Sequence, residues 1–119
     1  MNVVILGASL KQERYSYKAM KALEIEGHKV FPVNPSINEI ENIKVFHSIS
    51  EIKEPIHTIT IYLSPERSSK LTDEILALKP KRVIFNPGAE NEELSKKLEK
   101  NGIQVLNACT LILLKTKAF

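Results

Sequence analysis

The sequence lacks the marks of several large protein classes. Its single cysteine, Cys109, leaves no internal disulfide to form, which suits a reducing compartment. No apolar run approaches the roughly 20 residues of a membrane span. The run at the N-terminus is too short for a signal-peptide core, and its charges, Lys11 and Arg14, follow it instead of preceding it. A soluble, cytoplasmic protein is the expectation, with no membrane partner. Aromatic residues make up only 6% of the chain, and the 17 Lys and Arg are scattered among 14 Asp and Glu with no basic block. Nothing there indicates nucleic acid. A phosphorylated small molecule is reason enough for a formal net charge of +3. The phosphate-loop lysine motif is missing, which argues against an NTPase. His28, His47 and His57 are spread along the chain without metal-ligand spacing and are expected at the surface. No nucleophile–base pair is visible, so neither a catalytic residue nor a metal site is assigned.

What remains is an ordinary globular composition, 43% hydrophobic and 26% charged. The 119 residues are read as one domain, 1–119, long enough to bury roughly two-thirds of its unfolded surface. Val3 to Leu6 is apolar at every position, the habit of a strand covered on both faces. It stops at Gly7–Ala8–Ser9. A helix capped by Ser16 follows, with Ala19, Met20 and Leu23 at helical spacing and Gly27 as its stop. Lys29 to Val33 is a second strand, closed by Asn34–Pro35. Residues 36–44 read as a connecting loop, Val45–Phe46 as a short strand, and Ser48 to Lys53 as one helical turn. Thr58 to Leu63 has period two, and Ser64–Pro65 opens a helix through Leu71, Ile75 and Leu78 that ends at Lys79–Pro80. Arg82 to Phe85 is a strand and Asn91 caps a helix buried at Leu94 and Leu98. Ile103 to Leu106 is the last strand, before a short helix from Cys109 to Lys115. Strands alternating with helices predict right-handed crossovers. The fold class is therefore α/β: a Rossmann-like, three-layer domain with a mostly parallel sheet of five to six strands.

Ligands of such sheets bind beyond the C-terminal strand ends, near the point where strand order reverses. That edge comprises Gly7–Ala8–Ser9, Asn34–Pro35, the segment from Tyr62 through Ser64, Asn86–Pro87–Gly88–Ala89 and Asn107–Ala108–Cys109. Exposed amides in a small-residue turn before a helix suit phosphate oxygens, so Gly7, Ala8 and Ser9 are candidates for phosphate contact. Arg14 either takes a diphosphate or a ribose 3′-phosphate, or is a solvated loop arginine. Lys11 either screens phosphate charge or is solvated. Pro35 suits packing on adenine, while Asn34 holds its loop or merely ends a strand. Tyr62 lines the cradle or is a half-buried sheet residue; Ser64 caps its helix or faces the ligand. Pro87 and Gly88 shape the far wall, with Gly88 at positive φ. Cys109 reads as a small buried hydrophobe. The dinucleotide fingerprint fails, because Ser9 and Gln12 stand where its second and third glycines belong. Asn34 replaces the acidic residue that holds the ribose of NAD.

Five short stretches in order, Ile5–Leu6–Gly7–Ala8–Ser9, Arg14–Tyr15–Ser16–Tyr17, Val33–Asn34–Pro35, Pro87 to Glu93, and Cys109, resemble the small stand-alone CoA-binding proteins. That family is similar to the CoA-binding domain of the succinyl-CoA synthetase α subunit, and the resemblance covers essentially the whole chain. It implies a Rossmann-type fold and CoA as cofactor, and it implies no reaction. The chain ends at Phe119, without the synthetases' second domain and its phosphorylated histidine. The expectation is a CoA-binding protein with no self-contained catalytic activity that holds the ADP half over the glycine turn. Base and ribose lie toward Asn34 and Pro35, and the pantetheine arm toward Tyr62 and Pro87. Two alternatives stay open: a partner-dependent subunit of an acyl-CoA ligase, and an NAD(H) or adenine-nucleotide redox sensor. Acylation of the CoA and a homo-oligomeric state are left open.

Overall fold

Strand β1, Asn2–Leu6, sends its side chains alternately into two separate apolar clusters. Val4 and Leu6 join Phe31, Ile59 and Phe85 on one face of the sheet. Val3 and Ile5 join Met20 and Leu23 on the other. A strand with two apolar faces is stable only with helices above and below it, and that sandwich is the fold. The structure is a computed structural model and describes residues 1–119. Its sheet has five parallel strands: β1, β2 (Lys29–Val33), β5 (Thr58–Ile61), β6 (Arg82–Phe85) and β7 (Gln104–Asn107). They lie in the order β2-β1-β5-β6-β7. One face is covered by α3 (Thr72–Leu78) and α4 (Glu92–Lys100), through Ile75, Leu94 and Leu98. The other is covered by α1 (Tyr15–Ile25) and, less fully, by α5 (Thr110–Lys115), through Met20, Leu23 and Leu114. No helix is long and apolar enough to cross a membrane.

Between β2 and β5, residues 36–44 depart from the expected plain loop. Strands β3 (Glu39–Ile40) and β4 (Ile43–Lys44) form a small antiparallel hairpin. Its turn is Glu41–Asn42, both at positive φ (46° and 70°), as a two-residue hairpin turn requires. Tyr17 and Lys21 of α1 both reach Glu41, and Ile40 is buried beneath the turn. Val45–Phe46 is not a full strand. Phe46 makes a single parallel bridge to Val33, trading bonds with Pro32 O and Asn34 N. Pro32 is tolerated because β2 is the edge strand.

The expected helix over 64–79 is two: α2, Pro65–Ser69, and α3, separated at Lys70–Leu71. Hydroxyls compete with the backbone there. Thr72 Oγ1 donates to Ser69 O at 2.8 Å, and the Ser68 and Ser69 hydroxyls bond Asn91 Nδ2 at 2.9 Å. Asn91 also caps α4, its Oδ1 accepting from the Leu94 amide at 3.0 Å. Helix α1 begins at Tyr15, with Arg14 in the cap position. Ser16 lies buried inside the first turn instead of capping it, because the Lys11–Arg14 turn delivers the chain into the helix two residues earlier.

Candidate functional site

Register sets the floor of the site. Leu6 pairs with both Val33 and Ile61, and Ile61 with Phe85, so these four strands end level. The next residues are Gly7, Asn34, Tyr62 and Asn86. From β1 the chain steps out to β2 and then returns across β1 to β5, so strand order reverses between β1 and β5. A cleft of about 880 Å³ opens at that reversal. All ten sequence-chosen residues line it: Gly7, Ala8, Ser9, Arg14, Asn34, Pro35, Tyr62, Ser64, Pro87 and Gly88. The Asn107–Ala108–Cys109 loop does not. It lies at the end of β7, two strands beyond the reversal, and Cys109 sits half-buried at the start of α5.

The glycine turn differs in one respect from the expected ring of free amides. Gly7 N and Ala8 N both donate to Val33 O, at 3.2 and 3.1 Å. The amides without an acceptor in the chain come later: Ser9, then Tyr15, Ser16 and Tyr17 in the first turn of α1. The Ser9 hydroxyl accepts from Lys11 N and holds the intervening loop. The helix dipole and these open N–H groups favour an anion just beyond Ser9.

Asn34 does a different job from the ribose-holding acid of NAD sites. Its Nδ2 donates to Ala8 O at 2.8 Å and its Oδ1 accepts from Ser36 N at 2.8 Å, so it sutures the β2 loop to the glycine turn. Ser64 occupies the cap position of α2 without making a cap bond and lines the cleft. Tyr62 is half-buried over a polar knot. Asn86 Nδ2 donates to Thr60 Oγ1 at 2.7 Å, Thr110 N donates to Asn86 Oδ1, and the two threonine hydroxyls meet at 2.8 Å. Burial pushes the Tyr62 phenol above its ordinary pKa, against an opposing pull from Thr60 and Thr110. Gly88 has φ +90° and donates its amide to Glu90.

Sequence reasoning missed the opposite wall. Arg67 of α2 and Lys70 just after it line the cleft, as do Glu74, Ser48 and His47. His47 is exposed, as expected, at the mouth of the cleft; its Nε2 stands 2.8 Å from Asn38 Oδ1. The available signal was the three-residue spacing of Arg67 and Lys70 just after the strand that flanks the reversal. Lys11, Arg14, Arg67 and Lys70 all lack a carboxylate partner, since every ion pair in the chain lies elsewhere. The one lining carboxylate, Glu74, accepts from Ser48 Oγ at 3.2 Å. Nowhere do three His, Cys, Asp or Glu side chains converge. Unpaired cations on two walls, with open amides between them, suit a phosphate-bearing ligand.

The model of the CoA binding domain family matches residues 1–115. The chain belongs to the CoA-binding domain family. A crystal structure of an uncharacterised protein superposes with a TM-score of 0.94 at 40% identity, covering 99% of this chain and 97% of that one. An uncharacterised protein of Bacillus subtilis is 28% identical over 104 residues, 87% of this chain and 77% of its own length. The ADP-forming acetate–CoA ligase of Methanocaldococcus jannaschii is 33% identical over 60 residues. That match takes in 50% of this chain but 8% of the ligase. This CoA-binding domain is thus related to one segment of a much longer enzyme.

Proposed function

We propose that the protein binds CoA, free or acylated, across the C-terminal edge of its sheet. The diphosphate lies over Ser9 and the first turn of α1, with Arg14 and Lys11 beside it. Adenine and ribose lie toward Asn34 and Pro35, and the pantetheine arm passes Tyr62 and Ser64 toward Pro87 and Gly88. One observation carries the reading: open amides and unpaired cations share a single cleft at the strand-order reversal of a CoA-family chain. NAD(H) is disfavoured, because both polar ends of Asn34 already have partners and no carboxylate stands ready for a ribose diol. The cleft's lone carboxylate is held by Ser48, and no nucleophile–base pair accompanies it. The role proposed is that of a binding module without self-contained catalysis.

Calorimetric titration of CoA into wild type and Arg14→Ala tests this. Wild type saturates at one site per chain, and the variant weakens about tenfold, the worth of one charge-assisted contact. Absence of binding, or displacement of CoA by equimolar NADH, overturns the reading. The kinship with a ligase supports a second reading, a subunit that meets its catalytic partner in a separate chain. Co-purification with a chain bearing an ATP-grasp domain would establish it, and repeated isolation alone from native extract would contradict it.

A further inference from the structure

A diphosphate answers the charge on only one wall of the cleft. We infer that Arg67 on α2 and Lys70 directly after it, with His47 on the same wall, form a second anion subsite that selects nucleotides carrying a phosphate outside the diphosphate. In CoA that group is the 3′-phosphate. The inference rests on the CoA reading and names the part of the chain that gives it selectivity.

Four observations converge. Arg67 and Lys70 are three residues apart, so both face the cleft from one side of their helix segment. Neither is neutralised, although Glu66 is adjacent in sequence and Glu74 shares the wall; Glu74 is engaged by Ser48. Helix α1 covers one face of the sheet, whereas the α2–α3 segment packs on the other. Lys11 and Arg14 therefore oppose Arg67 and Lys70 across the crevice, and one diphosphate against α1 leaves the far pair unanswered. Finally, the far wall runs toward the adenosine end. Ser48 touches Glu74, and His47 follows Phe46, which bridges Val33, the residue before Asn34. A phosphate monoester brings about −1.5 to −2 charge and three acceptor oxygens, which a guanidinium and an ammonium match. NAD and 3′-dephospho-CoA lack that group.

The test titrates CoA and 3′-dephospho-CoA into three proteins: wild type, the Arg67→Ala/Lys70→Ala variant, and a Lys100→Ala/Lys115→Ala control. The control removes equal charge far from the cleft. Wild type is expected to favour CoA by about tenfold or more, the variant to lose most of that preference while holding dephospho-CoA nearly as before, and the control to keep it. Equal weakening of both ligands by the α2 variant, or no discrimination by wild type, overturns the subsite. A wild type that binds neither ligand removes the CoA reading and the subsite with it.

Discussion

At Gly7 two constraints meet. Its φ is +95°, and a Cβ placed there would stand 3.0 Å from Leu63 Cδ2 and 3.3 Å from the Tyr62 carbonyl carbon. The first strains any other residue; the second would push apart the two lips of the cleft, the β1–α1 and β5–α2 connections. Gly88 offers the contrast, with φ +90° and nothing within 4 Å of its built Cβ. Gly7→Ala is expected to lower stability by about 1–3 kcal/mol and to weaken CoA, while Gly88→Ala costs only the backbone strain, about 1 kcal/mol. Denaturant unfolding and titration of both variants check this, and equal effects on CoA would contradict it. The position of Gly7 was legible because small residues after an apolar run mark a tight turn. The fate of its amide was not. That depends on the register bringing Val33 O beneath the turn, a contact between residues 26 positions apart in the chain.

Elements were legible where their signals are local. Helix α4 starts at Asn91 and stops before Asn101–Gly102 as capping chemistry dictates, and the buried strands follow from their apolar runs. They were illegible where distant residues decide. The break between α2 and α3 depends on serine hydroxyls tied to Asn91, more than 20 residues later. Phe46 fails to extend a strand because one bridge to Val33 is all it makes. The same kind of distant tie joins β5, β6 and α5 through Asn86, only 3% exposed and bonded to Thr60, the Ile61 carbonyl and the Thr110 amide. Asn86→Ala strands these partners in a buried site and is expected to destabilise the fold by about 1–3 kcal/mol. Asn101→Ala, which loses one exposed bond to Lys97 O, should change stability by less than about 0.5 kcal/mol. Equilibrium unfolding in guanidinium separates the two, and equal losses would refute the hub.

Across the whole molecule, charge is divided between the sheet's two ends. Unpaired cations line the cleft at one end; at the other, Arg82 is 8% exposed with its guanidinium 4.4 Å from the Phe119 ring centroid and no acid paired to it. His57 and His28 share that end. Burial lowers the pKa of both below 6.5. Arg82 and Lys81 add to the effect at His57; the Met1 α-amino group and Arg82 add to it at His28, against Glu26. The unfolded chain therefore takes up protons that the folded chain refuses. The histidines' contribution is whole above about pH 6.5 and is lost as pH falls through that value toward the folded pKa. Melting temperature should fall from about pH 7 to about pH 5, and His57→Gln should flatten the fall; a flat wild-type profile would contradict it. The three-layer sheet and the edge that bears the cleft could be inferred from alternation and strand-end residues. Its second charged wall left only a faint sign, the three-residue spacing of Arg67 and Lys70, which become cleft residues once β5 lies beside β1. The central claim is that open amides at Ser9 and the start of α1 receive the diphosphate of CoA. A crystal structure of the CoA complex tests it most directly. Diphosphate oxygens within hydrogen-bond reach of Ser9 N and Ser16 N, with Arg14 alongside, are the predicted result; a diphosphate seated anywhere else contradicts the account.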